Sequence, residues 1–116
     1  MINLNRNIHL VCDDAINVYD KWKSPTIIIS DGPYGINGYP GDLLSASELA
    51  DWYEPHIKKW SELSSPITTL WFWNTEVGWA NVHPILEKYG WTYVSCCVWD
   101  MGMSHVAGNT NIKTIR

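Results

Sequence analysis

The chain has 116 residues, 46% hydrophobic and 17% charged, a composition that fits one folded domain with a modest core and excludes a disordered chain. Its net charge is −4, and among scattered Lys and Arg only Lys58 and Lys59 are adjacent, which excludes a strong phosphate-gripping surface of its own. With no apolar leader in the first ten residues and no apolar run of bilayer length, no membrane partner and a cytoplasmic location are expected.

The first element is a short apolar strand over 8–12 (IHLVC). Asp13 and Asp14 open a helical turn, suggested by Ile16, Tyr19 and Trp22 at three-residue spacing, and Pro25 ends the connection. Residues 26–30 (TIIIS) form a continuous β-branched run, the pattern of a buried parallel strand. A loop follows, marked by Gly32, Pro33, Gly35, Gly38, Pro40 and Gly41. A helix starts near Ser45 or Ser47, with Ser45 and Glu48 at capping-box spacing. Leu49, Trp52, Tyr53, Ile57, Trp60 and Leu63 make its apolar face, and Pro55 should kink it. A third strand spans 68–73 and ends at Asn74. Trp79, Val82, Leu86 and Tyr89 mark a second helix closed by Gly90. A fourth strand is expected over 91–99, and the tail to Arg116, with His105 and Asn109, reads as loop.

Strand–helix alternation of this kind predicts an α/β fold, a three- to four-stranded mostly parallel sheet with flanking helices, in one domain over 1–116. Asp13, Asp31, Asn74 and Asp100 each directly follow a strand and so fall on the carboxyl edge, where open α/β sheets bind ligands. For any one of them a helix cap is the plainer role. Three cysteines, Cys12, Cys96 and Cys97, lack CxxC spacing and fit a reducing compartment. The four histidines share no metal-ligand spacing with them, so no metal is expected. Eight Trp and six Tyr against one Phe suit half-wet walls as well as core.

The densest signal is TIIISDGPYG, a buried strand delivering Asp31 into a Gly-Pro-Tyr turn. Pro33 fixes its own φ and biases Gly32 toward extended backbone, so a carboxylate, a carbonyl and the Tyr34 ring converge. Such a corner suits a flat ligand bearing an amino group. These residues resemble the (D/N/S)PP(Y/F) motif of the DNA amino-methyltransferases, and IHLVCDD ahead of them resembles that family's preceding strand and acidic turn. The segment VWDMGMSHVAGN is similar to a later strand and loop of the same family.

The resemblance implies a partial Rossmann-like methyltransferase fold acting on DNA, of the kind found in restriction–modification, with S-adenosylmethionine as cofactor. Asp31, Gly32, Pro33 and Tyr34 would be the catalytic residues, the base amine bonding to Asp31 and the Gly32 carbonyl while its ring stacks on Tyr34. Asp13 and Asp31 would contact the cofactor. Asp rather than Ser at the first motif position leans toward adenine N6 over cytosine N4. Two features depart from the family. Gly32 stands where it has proline, so Gly32→Pro is expected to be tolerated, and its FxGxG cofactor motif and target-recognition region are absent. The chain is therefore expected to be a fragment, a remnant or one subunit of a split enzyme, completed by a second polypeptide or a missing C-terminal portion. The rival readings are a non-catalytic interaction subunit and an unrelated α/β nucleotide-binding domain.

Overall fold

The computed structural model describes residues 2–5 and 7–100; His105, Asn109 and the expected terminal loop lie outside them. Order begins with two short strands, β1 (Ile2–Asn5) and β2 (Ile8–Leu10), paired antiparallel with a register irregularity between Asn3 and Asn5. Two 3₁₀ turns, Ala15–Asn17 and Tyr19–Lys21, replace the single helical stretch expected there. Strand β3 (Ile27–Ser30) leads through the glycine-rich loop to a 3₁₀ turn, Ala46–Glu48, and helix α1 (Leu49–Leu63). Strand β4 (Thr69–Phe72) and helix α2 (Glu76–Lys88) complete the order.

β3 and β4 pair in parallel, Ile27 opposite Thr69 and Ser30 opposite Phe72, with α1 as the crossover. A parallel pair needs such a crossover, because a tight hairpin cannot return the chain to the same end. Among the described residues the fold is thus α/β, but its four strands divide into two two-stranded sheets rather than forming one. Two expectations are corrected. The 8–12 run pairs with β1, a segment no sequence signal marked, and does not join β3. Residues 91–99 form no ladder, and Val94 and Val98 are 89% and 85% exposed, so their β-branched composition did not suffice without a strand to pair with. This segment is held by side chains instead, the Trp91 indole donating to Ser61 Oγ at 2.9 Å, Tyr93 lying 5.8 Å from Trp79, and Trp99 lying 5.5 Å from Trp73.

The core lies on one face of the parallel pair. Ile28 of β3, with Leu70 and Phe72 of β4, packs under Leu49, Tyr53, Ile57 and Trp60 of α1 and Val82 and Leu86 of α2. Burying each such side chain contributes roughly 1.5–3 kcal/mol. α1 starts where the sequence places it, with the Glu48 carboxylate accepting from the Leu44 and Ser45 amides at 2.9 and 3.3 Å. It continues through Pro55. α2 is capped by the Thr75 hydroxyl, which accepts from the Gly78 amide at 3.0 Å, and ends at Gly90 with φ +91°. No helix among the described residues is long and apolar enough to cross a membrane.

Candidate functional site

Parallel pairing carries the chain after β3 and the chain after β4 to one edge. The Trp73 amide donates to the Ser30 carbonyl at 2.9 Å, so Asp31 and Asn74 emerge side by side. Asn74 then clamps the turn that begins at Asp31. Its Nδ2 donates to the Pro33 carbonyl at 3.0 Å, and the Tyr53 hydroxyl of α1 donates to the same carbonyl at 3.1 Å. Two side chains, one from α1 and one from just beyond β4, thereby satisfy a buried carbonyl that would be costly to leave unpaired. Burial pushes the Tyr53 hydroxyl well above its ordinary value, so it stays a donor at all physiological pH.

Gly32 is tied to the same clamp. A Cβ built there would stand 2.4 Å from the Tyr53 hydroxyl oxygen and 3.1 Å from its ring carbon Cζ. Gly78 has an equivalent role under α2, where a Cβ would meet Asn74 Oδ1 at 1.9 Å. The two glycines let a strand end and a helix start close on Tyr53 and Asn74.

Asp31 is exposed, and the Tyr34 hydroxyl donates to its Oδ1 at 2.5 Å. Burial and the neighbouring Asp31 charge push the Tyr34 hydroxyl up to about 12. The carboxylate is thus set at the rim by its own turn. Beside it a cleft of about 230 Å³ runs along β3, lined by Ile28 through Gly32 and walled by Tyr19, Trp22, Trp52, His56 and Trp60. Tyr34 is not one of its walls. Trp52 stacks on His56 at 4.5 Å, and the Tyr19 hydroxyl lies 2.7 Å from His56 Nδ1. Burial holds His56 below its ordinary 6.5, with Asp14 opposing. Burial raises the Tyr19 hydroxyl, opposed by the nearby Trp60 indole N–H, which is buried and reaches no partner at hydrogen-bonding geometry. An open depression of about 400 Å³ at the end of α2, lined by Glu87 and residues 90–93, gathers no comparable convergence of groups.

The sequence-predicted residues are therefore divided. Asp31, Gly32, Pro33 and Tyr34 form one corner, joined by Asn74. Asp13 does not share their sheet edge, because β2 belongs to the other sheet. Its carboxylate accepts from the Asp14 amide at 2.7 Å and from Asn17 Nδ2 at 3.2 Å, while Asp14 accepts from the Ile16 amide at 3.2 Å. Asp14 caps the first 3₁₀ turn, and Asp13 braces it through Asn17. Asp100 is exposed at the end of the described residues. Sequence reasoning placed Tyr53 only on the apolar face of its helix, counted His56 only among histidines without metal-ligand spacing, and did not single out Asp42. The signal for Asp42 was its place at the end of a glycine-rich loop, where an Asp side chain readily accepts from nearby backbone amides.

Among the described residues no cluster of His, Cys, Asp or Glu is placed to hold a metal ion. No family model, curated protein or solved structure matches this chain.

Proposed function

We propose that this chain carries the base-binding corner of a DNA methyltransferase, one that methylates an exocyclic amino group of a flipped base, adenine N6 in preference to cytosine N4. The observation that carries this reading is the 31–34 corner itself. An exposed carboxylate leaves the end of a parallel strand, and the turn behind it is locked by Tyr53 and Asn74 on the Pro33 carbonyl. The β3–α1–β4 unit fits one piece of a Rossmann-like sheet, with its site on the carboxyl edge.

An exocyclic amine is a poor nucleophile because its lone pair is delocalised into the ring. Hydrogen bonds to Asp31 and the Gly32 carbonyl would localise that pair, with the Tyr34 hydroxyl on Oδ1 holding the Asp31 carboxylate in place. Asp31 then stabilises the positive charge that develops on nitrogen and accepts the proton. The Tyr34 ring, fixed beside that carboxylate, offers a stacking face for a base that must leave the duplex to react.

S-adenosylmethionine would supply the electrophilic methyl group. The described residues fit part of it: Asp31 offers a carboxylate to a cationic group, and the Trp22 and Trp52 rings offer faces that attract cations. A cleft of about 230 Å³ is smaller than the usual small-molecule pocket, so a second polypeptide or further chain is proposed to complete the cofactor site and to grip DNA. Asp13, engaged in its own turn, would reach the cofactor only by releasing that brace. A cytoplasmic location fits this activity.

The test is methyl transfer from labelled S-adenosylmethionine to DNA by the chain together with its completing polypeptide. Asp31→Ala should lower the rate on the order of 10²- to 10³-fold with cofactor binding less affected. Near-normal methylation by that variant would remove the corner from the chemistry. A second reading, a non-catalytic interaction subunit, is favoured by the exposed Trp71 and Trp73. It predicts no binding of S-adenosylmethionine by calorimetry, either alone or in the complex.

A further inference from the structure

The loop after the corner is built around one side chain. Asp42 Oδ1 accepts from the amides of Tyr34 at 3.1 Å, Gly35 at 2.9 Å and Leu43 at 2.8 Å. Its Oδ2 accepts from Ile36 at 3.2 Å and Gly38 at 3.1 Å. Backbone bonds from Asn37 to the Leu43 carbonyl and from Asp42 to the Tyr39 carbonyl close the same loop. Burial works against the charge on Asp42, yet the converging amides outweigh it and hold the carboxyl below its usual range.

The loop is also clamped from outside. Gly35 has φ +70°, and a Cβ there would lie 2.7 Å from the Ser45 carbonyl oxygen and 2.8 Å from Ala46 Cα. The first residues held by Asp42 are thus wedged against the start of α1. Tyr34 is consequently fixed at both ends, its amide on Asp42 and its hydroxyl on Asp31.

We infer that Asp42 is the positioning residue of the 31–34 corner: its carboxylate gathers the Tyr34 and Gly35 amides and so sets the Tyr34 ring and hydroxyl against Asp31. The inference deepens the methyl-transfer reading and rests on it for its role in a reaction, but the geometry it asserts is measurable without activity. Charged acceptors of this kind give stronger bonds than neutral ones, and five donors on one carboxylate fix a loop that glycines would otherwise leave free.

The experiment is carbon-13 NMR of the tyrosine Cζ resonances against pH, with amide exchange measured in parallel, in the full chain carrying Ile29→Lys and Trp71→Glu on its exposed sheet face to keep it monomeric. In Asp42→Ala the Tyr34 hydroxyl should titrate about a unit or more below the value near 12 that it has in the native corner, and the Tyr34 and Gly35 amides should exchange at least tenfold faster. Amides of α1 such as Ile57 should hold their protection. Asp42→Asn keeps one acceptor oxygen and should fall between the two. An unmoved Tyr34 titration overturns the inference, and so does equal acceleration at Tyr34 and Ile57, which would make Asp42 a residue of the whole fold. In a complex that methylates DNA, Asp42→Ala should lower kcat by about 10- to 100-fold with KM for DNA changed less, and an unchanged kcat overturns the positioning role. A complex that never transfers methyl groups while the Tyr34 shift is present overturns the methyl-transfer reading and leaves the placement of Tyr34 by Asp42 standing.

Discussion

Gly32 shows how one atom can decide what a motif position accepts. Resemblance to a proline-bearing motif led to the expectation that Gly32→Pro would be tolerated. The Tyr53 hydroxyl, 2.4 Å from where any Cβ would stand, reverses it, since proline and alanine both carry that atom. The hydroxyl cannot simply retreat, because its bond to the Pro33 carbonyl is part of the clamp. Gly32→Ala should therefore destabilise by roughly 1–3 kcal/mol, as overpacking does. Tyr53→Phe alone should cost about 1 kcal/mol, because Asn74 still satisfies the Pro33 carbonyl. Combined, the two should cost less than their sum, since Phe removes the closest atom and leaves the ring carbon at 3.1 Å. Urea denaturation of the three variants checks this, and strict additivity would dismiss the steric account of Gly32.

Helix α1 presents its buried face in a pattern the sequence carries openly, with one exception. Leu49, Tyr53, Ile57 and Trp60 follow the 3.6-residue period and are buried, whereas Trp52 is 39% exposed and forms a wall of the cleft. The exception is His56, buried on the same face with its Nδ1 on the Tyr19 hydroxyl. Burial depresses its titration below 6.5, with Asp14 opposing, so the folded chain favours the neutral ring. Stability from His56 is therefore complete above about 6.5 and is lost as the pH falls below it, because the unfolded chain takes up the proton first. The urea midpoint should drop between pH 7.5 and 5, and His56→Gln should flatten that drop; an equal slope in both proteins would place the dependence elsewhere. β3, α1, β4 and α2 were legible because their signals are local: β-branched runs, a capping box, helical periodicity and a terminal glycine. Strand partners are not local. The 8–12 run reads the same whether it lies beside β1 or β3, and the 91–99 run has strand composition without a neighbour to pair with. Asp31 and Asn74 were placed correctly because their edge follows from parallel pairing alone. Asp42 and the clamping role of the Tyr53 hydroxyl escaped notice because their partners are backbone groups, which a side-chain pattern does not display.

At the scale of the whole molecule, the described residues cover one face of the β3–β4 pair and leave the other open. α1 and α2 cover Ile28, Leu70 and Phe72. On the opposite face Ile27, Ile29 and Trp71 are 56%, 75% and 57% exposed, and Trp73 beyond the strand end is 46% exposed. Parallel strands are ordinarily covered on both faces, and contiguous apolar surface of this kind drives association in soluble proteins. The chain studied alone should therefore self-associate or aggregate at micromolar concentration, and sedimentation velocity should show species larger than 13.3 kDa. Replacing Ile29 by lysine and Trp71 by glutamate should restore a monomer, opposite charges being chosen because the two are register partners. Both side chains lie away from the core, so the helical circular dichroism should be retained and stability should change little, within about 0.5 kcal/mol per site. The same double variant should lose binding to the completing polypeptide, because the charge placed on the face opposes burial there. A native chain that sediments as a single 13.3 kDa species and melts sharply would show that this face needs no cover, and the second polypeptide would then have to dock elsewhere.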